Sequence, residues 1–244
     1  MHPVLFRWGK FTVHSYPVML YLGLLGGILA GNWAASSAGL DVFRVDLVSI
    51  LLCIPTIIGA RLLHTFSHNQ NGRGNWKRMW QRGAGGAALY GGLLLSVPLA
   101  FPLLRALRVP KGAYGDAVIF TMLIAMAFGR IGCVLHGCCA GRTSQSFLAI
   151  NLPNLKGAWK KRIPTQYLEA TLSLLLAAAA VLVRTSLPFR GALFLLMVAG
   201  YAIGRIALES TREETSKGQF TIHHGISVML ILCCLGALAV QWHR

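Results

Sequence analysis

The sequence predicts an all-α fold, a polytopic membrane helical bundle with about seven transmembrane helices. Hydrophobic residues make up 55% of the 244 residues, charged residues only 12%, and the mean hydropathy is +0.59. A soluble domain carries about a quarter charged residues. A water-soluble core of this chain length could not bury so much apolar surface, so we expect lipid to be the solvent.

Seven apolar segments recur along the chain, each close to the ~20 residues needed to cross a bilayer core. In hydrocarbon every backbone amide must be satisfied internally, so these segments are predicted to be helices. Pro55 and Arg61 interrupt the second segment. The first is longer than the apolar region of a signal peptide and more spans follow, so we expect it to be retained. The segments are about residues 15–35, 47–65, 83–104, 116–136, 166–183, 191–209 and 222–242.

The seven segments predict a single integral membrane domain over residues 1–244. One polar connection, at about residues 137–165, is long enough to form a small structured element. Glycines at four-residue spacing allow helix backbones to approach closely, which predicts tight helix packing in the first and sixth spans. These glycines are Gly23, Gly27 and Gly31 in the first span, and Gly200 and Gly204 in the sixth.

The formal charge is +16, from 23 basic and 7 acidic residues. The basic residues lie between apolar runs, which favours contact with anionic lipid over nucleic acid. Outside the spans, thirteen basic residues lie on the side of the N-terminus and seven on the other side. The positive-inside rule therefore predicts a cytoplasmic N-terminus. A site that gathers anionic lipid would bias the same count for a different reason.

Three arginines, Arg61, Arg130 and Arg205, lie inside apolar spans. A charge at membrane depth is costly and indicates a functional site by default. Arg205, Glu209 and Arg212 have i, i+4, i+7 spacing and share one helix face. They form either an ion-paired ladder that reaches the interface, or a site in which one guanidinium is left to bind an anion. A guanidinium suits phosphate because it donates two parallel hydrogen bonds.

A glycine-rich stretch from Gly129 to Arg142 closes the fourth span and contains Arg130. Its glycines permit close approach of the backbone to a ligand. Adjacent cysteines fit a tetrahedral metal site poorly and no second ligand pair follows, so we expect no metal and no cofactor. A disulfide or ordinary packing then accounts for the cysteines. The residues of this stretch that bear on metal or redox chemistry are Cys133, His136, Cys138 and Cys139.

Several polar residues lie at the ends of other spans. His14 and Tyr16 begin the first span, and Gln166 and Glu169 open the fifth, one turn apart. Tyr90 lies between glycines in the third span. Tyr16, His14 and Tyr90 have ordinary structural explanations, as an interfacial anchor, a solvated side chain and a core residue respectively. If packing brings them together, they form an arginine-rich pocket with carboxylates that orient the arginines and a phenol.

The motifs occur in a recognisable order along most of the chain: His2-Pro3-Val4, Phe11–Tyr16, Gly85–Gly92, Gly129–Gly141, Pro164–Glu169, Gly204–Glu209 and Arg212. In these motifs the chain resembles the bacterial prolipoprotein diacylglyceryl transferase family. The resemblance implies transfer of a diacylglyceryl group from phosphatidylglycerol, or a related anionic phospholipid, to the thiol of a lipobox cysteine in a secreted precursor. Glycerol phosphate would be released.

The resemblance also implies roles for individual residues. Arg130 and Arg205 would hold the phosphate and Glu209 and Arg212 would support them. The family commonly has a histidine where this chain has Tyr90, so a phenol would serve there as a hydrogen-bond donor or weak base. The predicted catalytic residues are Arg130, Arg205, Tyr90, Tyr16 and His14. The predicted substrate-binding residues are Glu209, Arg212, Gly141, Cys133, His136, Glu169 and Gln166.

Two other functions stay open on the sequence. One is a non-catalytic paralogue that binds lipid or lipoprotein, and the other is a membrane thiol oxidoreductase that uses the three clustered cysteines. The resemblance predicts a multi-pass protein of the bacterial plasma (inner) membrane. Because the acceptor would be met after export, it also predicts an extracytoplasmic active face, against the charge count. On orientation we follow the resemblance.

Overall fold

The fold is seen in a computed structural model that describes residues 4–8, 11–67, 89–153, 158–212 and 222–242. Apolar runs form its helices because a helix satisfies its own backbone. The helices of the described chain are α1 (Ser15–Ser37), α2 (Val42–Ser67), α3 (Leu89–Ala106), α4 (Lys111–His136), α5 (Thr165–Val183), α6 (Ala192–Glu209) and α7 (Ile222–Trp242). The strands are β1 (Val4–Trp8), β2 (Phe11–His14), β3 (Ile150–Pro153) and β4 (Trp159–Arg162).

The predicted all-α membrane bundle of about seven helices is confirmed. Among the described residues, six helices are long and apolar enough to cross a membrane, and α3 contributes a shorter apolar helix, Gly91–Ala106. Each predicted span coincides with one of these helices, although the predicted residues 83–88 of the third lie outside the described part. Large apolar side chains such as Leu29, Leu182 and Leu232 are exposed. Apolar exposure on this scale is unusual for a protein in water and is expected for one in lipid.

The chain divides into two compact units, residues 1–34 with 115–244, and residues 35–114. In the second unit α2 packs against α3, where a Cβ on Gly92 would lie 2.8 Å from Thr56 Cγ2. Arg61 lies on α2, half-buried. Tyr90 is the second residue of α3, and its side chain is outside the described part of the chain.

In the first unit glycines bring α1 against α4. A Cβ on Gly27 would lie 2.7 Å from the carbonyl oxygen of Thr121, and one on Gly23 would lie 2.6 Å from Phe128 Cβ. No side chain fits at such a distance, so only glycine permits this packing. Gly204 is similarly closed by the side chain of Leu172 on α5. The close backbone approach predicted for the first span is thus confirmed, whereas Gly204 in the sixth span faces a leucine side chain and not a helix backbone.

The N-terminus of α6 is held by a carboxylate on α4. Asp116 accepts hydrogen bonds from the backbone N–H groups of Gly191 (2.6 Å) and Phe194 (2.9 Å). These N–H groups would otherwise lack a partner, and a negative charge complements the dipole at this end of a helix. The contact anchors α4 and α6 to each other near their N-termini.

The polar connection at 137–165 contains a small structured element, as its length predicted. Strands β3 and β4 pair antiparallel, with Ile150 opposite Arg162 and Pro153 opposite Trp159. Residues 154–157 lie outside the described part. Strands β1 and β2 form a second antiparallel pair that leads into α1.

Candidate active site

The centre of the candidate site is the carboxylate of Glu169, on the first turns of α5. Its Oε1 lies 2.7 Å from Arg205 Nη1 and 3.1 Å from Arg212 Nη2. Its Oε2 pairs with Nε of Arg130 on α4. The Glu169 side chain is only 1% exposed. One buried carboxylate therefore gathers three guanidiniums, one from α4, one from α6 and one from the segment just after α6.

A second carboxylate, Glu209, closes the cluster. Its Oε2 lies 3.1 Å from Arg205 Nη2 and 3.9 Å from Arg212 Nε. The i, i+4 spacing predicted the pairing of Arg205 with Glu209 on one helix face. The prediction that Arg212 shares this face is wrong, because α6 ends at Glu209 and Arg212 lies beyond it, in a β-bridge with Gly141. Together with Glu169, the cluster holds three cations and two anions. It keeps an excess of one positive charge, which a bound anion would neutralise.

The three guanidiniums differ in exposure. The Arg205 side chain is 8% exposed, whereas Arg130 and Arg212 are 21% and 24% exposed. Arg205 bridges Glu169 and Glu209 and is enclosed between them. Arg130 and Arg212 flank it and keep open edges. The arrangement can present two cationic edges to one ligand while the buried arginine holds the carboxylates in place.

Three chain segments meet at Gly141, and backbone hydrogen bonds between them hold the loop beside the cluster. Gly141 N–H donates to the carbonyl of Ile163 (3.1 Å), and Arg142 N–H donates to the carbonyl of Thr211 (2.8 Å). Gly141 and Arg212 also form an isolated β-bridge. A Cβ on Gly141 would lie 2.6 Å from Thr211 O and closer still to Thr165 Oγ1. Glycine is required here because three chain segments meet.

Gln166 and Arg162 tie the loop to the start of α5. Gln166 Nε2 donates to the carbonyl of Cys138 (2.7 Å), and Arg162 Nη1 donates to the carbonyl of Gly141 (3.3 Å). Both side chains are almost completely buried. The Oε1 of Gln166 is buried and has no hydrogen-bond partner among the described residues.

Tyr16 and His136 lie next to each other at the edge of this region. Their ring centroids are 6.2 Å apart, with the planes tilted by 53°. A Cβ on Gly132 would lie 3.2 Å from the Tyr16 ring, so that glycine admits the phenol against α4. His14 is exposed at the end of β2, opposite Val4.

Three thiols lie close together where α4 ends. The sulfur atoms of Cys133, Cys138 and Cys139 are all within 4.8 Å of one another, and all three cysteines are free. Hydrogen bonds from Cys133 and Cys138 hold the pKa of the Cys139 thiol well below its usual value, and the guanidiniums of Arg130 and Arg212 lower it further. The pKa of Cys138 is raised by those thiol contacts and by burial.

Most of the predicted site residues meet in one region. The structure brings together Arg130, Arg205, Arg212, Glu169, Glu209, Gln166 and Gly141, with Cys133 beside them. The Tyr16 and His136 pair borders this region through α4. Within the described residues, no hydrogen bond or ion pair joins His14 to the cluster.

Sequence reasoning missed three residues. Arg162 was counted as a loop cation, yet it is buried against Gly141. Thr211 bonds Thr165, hydroxyl to hydroxyl, at 3.0 Å. Tyr201 lies within electrostatic range of Arg130. Tyr201 precedes Arg205 by four residues and so lies on the same face of α6, which is a signal that the sequence contains.

Comparison with known proteins gives one consistent result. The family described as prolipoprotein diacylglyceryl transferase matches residues 3–240. The chain is 30% identical to the phosphatidylglycerol–prolipoprotein diacylglyceryl transferase of Bacillus velezensis over 254 residues, covering 96% of this chain and 90% of the relative. It is 27% identical to the transferase of the same name from Listeria monocytogenes over 253 residues, covering 98% and 89%. For that of Clostridium tetani the identity is 25% over 216 residues, covering 88% and 86%.

The family match extends over nearly the whole chain, including the described helices and the arginine cluster. The chain therefore belongs to the prolipoprotein diacylglyceryl transferase family and is a multi-pass membrane transferase.

Proposed function

We propose that this transferase moves a diacylglyceryl group from phosphatidylglycerol, or a closely related anionic phospholipid, to the lipobox cysteine of a secreted precursor. The observation that carries the proposal is the cluster of three guanidiniums and two carboxylates, with its excess positive charge. A cationic pocket within apolar helices suits a substrate with apolar chains and an anionic headgroup. The names of the relatives specify the same donor and acceptor.

The exposure of the arginines supports a division of roles. Arg130 and Arg212 keep open edges, so we assign the direct contacts with phosphate to them, in bidentate geometry. Arg205 is enclosed by Glu169 and Glu209. We propose that Arg205 holds both carboxylates in position and adds to the positive potential at the site. Gln166 Oε1 can accept a hydrogen bond from a glycerol hydroxyl of the headgroup.

The reaction forms one carbon–sulfur bond and breaks one carbon–oxygen bond. The acceptor thiolate attacks the carbon of the diacylglyceryl group that is bonded to the phosphate oxygen. Glycerol phosphate leaves with the electron pair of the broken bond, so its negative charge increases by one. The arginine cluster stabilises this developing charge in a site shielded from water. The acceptor brings the thiol, so the enzyme needs no nucleophilic cysteine of its own.

The thiol proton must pass to a base. Tyr90, in the position where the family commonly has histidine, is a hydrogen-bond donor or weak base in this proposal. A phenol with a pKa of about 10 is mostly protonated at neutral pH, whereas an imidazole with a pKa of about 6.5 is mostly free to accept a proton. We therefore expect Tyr90→His to raise the transfer rate by about tenfold or more. An unchanged rate would assign the base elsewhere, with His136, in contact with Tyr16, as the next candidate.

The test uses the purified protein in mixed micelles with phosphatidylglycerol and a synthetic lipobox peptide. The expected result is a peptide with the added mass of one diacylglyceryl group and an equal amount of released glycerol phosphate. Arg130→Ala and Arg205→Ala should each lower the rate by about 100-fold or more, because each removes stabilisation of the leaving phosphate or its support. Arg44→Ala is the matched control, since Arg44 is exposed and pairs only with nearby Asp41 among the described contacts.

Retained transfer in either arginine variant would overturn the assigned roles. Wild-type protein that binds phosphatidylglycerol but releases no glycerol phosphate would instead support a lipid-binding function without transfer.

A further inference from the structure

The three thiols at the end of α4 are not used by the proposed transfer. Cys133 is buried on the last turns of α4, and Cys138 and Cys139 follow the helix. Their sulfur atoms are within 4.8 Å of one another. Each sulfur offers one metal-ligand atom, and no disulfide joins them in the described chain.

The backbone brings the thiols together through two unusual conformations. Gly137 has a φ of +77°, and the N–H groups of Cys138 and Gly137 donate to the carbonyls of Cys133 and Val134, both at 3.1 Å. This is a Schellman motif, which turns the chain back over the last helical turn. Cys139 then adopts a φ of +62°, which favours glycine and is uncommon for other residues. Such a conformation is often found at functional sites.

Metal binding displaces the thiol proton, because the thiolate is the form of cysteine that ligates metal. The thiols lie beside the start of α5, which carries Glu169, since the Cys138 carbonyl accepts a hydrogen bond from Gln166 Nε2 at 2.7 Å. In a planar three-coordinate site with metal–sulfur bonds of about 2.3 Å, the sulfurs lie about 4 Å apart. The observed cluster meets that separation with little movement.

We propose that Cys133, Cys138 and Cys139 form a three-coordinate binding site for Cu(I). Soft thiolates select Cu(I) among the common ions. Zn(II) favours four ligands, and no fourth His, Cys, Asp or Glu joins this group in the part of the chain that the structure describes. Three thiolates and one Cu(I) carry a net charge of −2, which the neighbouring arginine cluster stabilises.

The test titrates the full-length, reduced protein in detergent with Cu(I), in competition with a chromophoric Cu(I) chelator. The expected stoichiometry is one Cu(I) per chain. Cys138→Ser should weaken the apparent affinity by about 100-fold or more, because it removes one of three ligands. The double variant Cys53→Ser/Cys233→Ser is the matched control, since both of these cysteines are exposed and outside the cluster, and its affinity should not change.

A second measurement needs no variant. Bound Cu(I) should protect Cys133, Cys138 and Cys139 from maleimide, while Cys53 and Cys233 stay reactive, as read by mass spectrometry of peptides. Equal reactivity with and without Cu(I) would overturn the site, as would equal affinity of the wild type and Cys138→Ser. Tighter binding of Zn(II) than of Cu(I) would overturn the assignment of the metal. A disulfide between two of the three cysteines in freshly purified protein would overturn the proposal, because those sulfurs could not bind Cu(I).

Discussion

Glu169 is the residue on which the arginine cluster depends. Its carboxylate is buried and contacts Arg130, Arg205 and Arg212 at once. Removing one member of a buried ion network leaves the other charges unpaired, which costs more than the net worth of the pair. The three guanidiniums would then repel one another with only Glu209 between two of them.

We therefore expect Glu169→Gln to destabilise the protein by about 3 kcal/mol and to lower the transfer rate by about 100-fold or more. The amide has nearly the same shape as the carboxylate but carries no charge. Its NH2 group is a donor and cannot accept hydrogen bonds from the arginine guanidiniums. Thermal unfolding in detergent and the transfer assay measure the two effects.

Glu209→Gln is the control for that change. Glu209 contacts two of the arginines, one of them at 3.9 Å, and Glu169 remains to hold all three. Its effect on both readouts should be clearly smaller. An equal or larger loss in Glu209→Gln would show that Glu169 is not the organising carboxylate.

At the scale of elements, the register of α4 against α6 places the arginines. Asp116 holds the N-terminus of α6 at Gly191. Arg130 follows Asp116 by fourteen residues, and Arg205 follows Gly191 by fourteen. At 1.5 Å per residue, both arginines lie about 21 Å along their helices from the shared anchor. The two helices thus deliver their arginines to the same level, where Glu169 of α5 meets them.

The chain segments that meet at Gly141 leave no room for a side chain. We expect Gly141→Ala to lower the transfer rate by about tenfold or more, because the added Cβ overlaps Thr165 Oγ1 and the backbone at Ile163 and Thr211. The displaced segment carries Arg212 through its bridge to Gly141. The transfer assay measures the loss, with phosphatidylglycerol at saturating and at limiting concentration.

Gly236→Ala provides the control, because a Cβ on Gly236 meets no atom within 4 Å. It should leave transfer unchanged. A Gly141→Ala variant as active as Gly236→Ala would mean that the segments that meet at Gly141 can shift without moving the arginines.

The spans and the pairing of Arg205 with Glu209 could be predicted from sequence, because both follow from local rules. Apolar length predicts a helix, and i, i+4 spacing predicts that Arg205 and Glu209 meet. The central role of Glu169 could not be predicted, since it depends on how three separate helices pack. Arg162 was missed for the same reason: a basic residue in a polar loop looks solvated until the chain folds over it.

At the scale of the molecule, the candidate site collects at one level of the first unit. It uses the C-terminal ends of α4 and α6 and the N-terminal end of α5, so it lies at one end of these helices. Helices that follow one another in antiparallel directions have this property. The polar connection with β3 and β4 is on the same side, and it holds many of the basic residues that the positive-inside rule counts.

We propose that this side is extracytoplasmic, since the proposed acceptor, a secreted precursor, would be met after export. The basic residues there would bind anionic lipid, and their number would then not indicate a cytoplasmic loop. The test places a single cysteine at Ser146, which is exposed in the polar connection, in a chain whose own six cysteines are replaced. A membrane-impermeant maleimide should label it in intact cells.

Ser186→Cys, in the exposed turn between α5 and α6, is the matched control at the opposite end of α5. It should be labelled only after the cells are permeabilised. The reverse pattern would place the arginine cluster at the cytoplasmic face, as the charge count predicts. It would then separate the site from exported acceptors, and the proposed acceptor would have to be given up even if the lipid donor were correct.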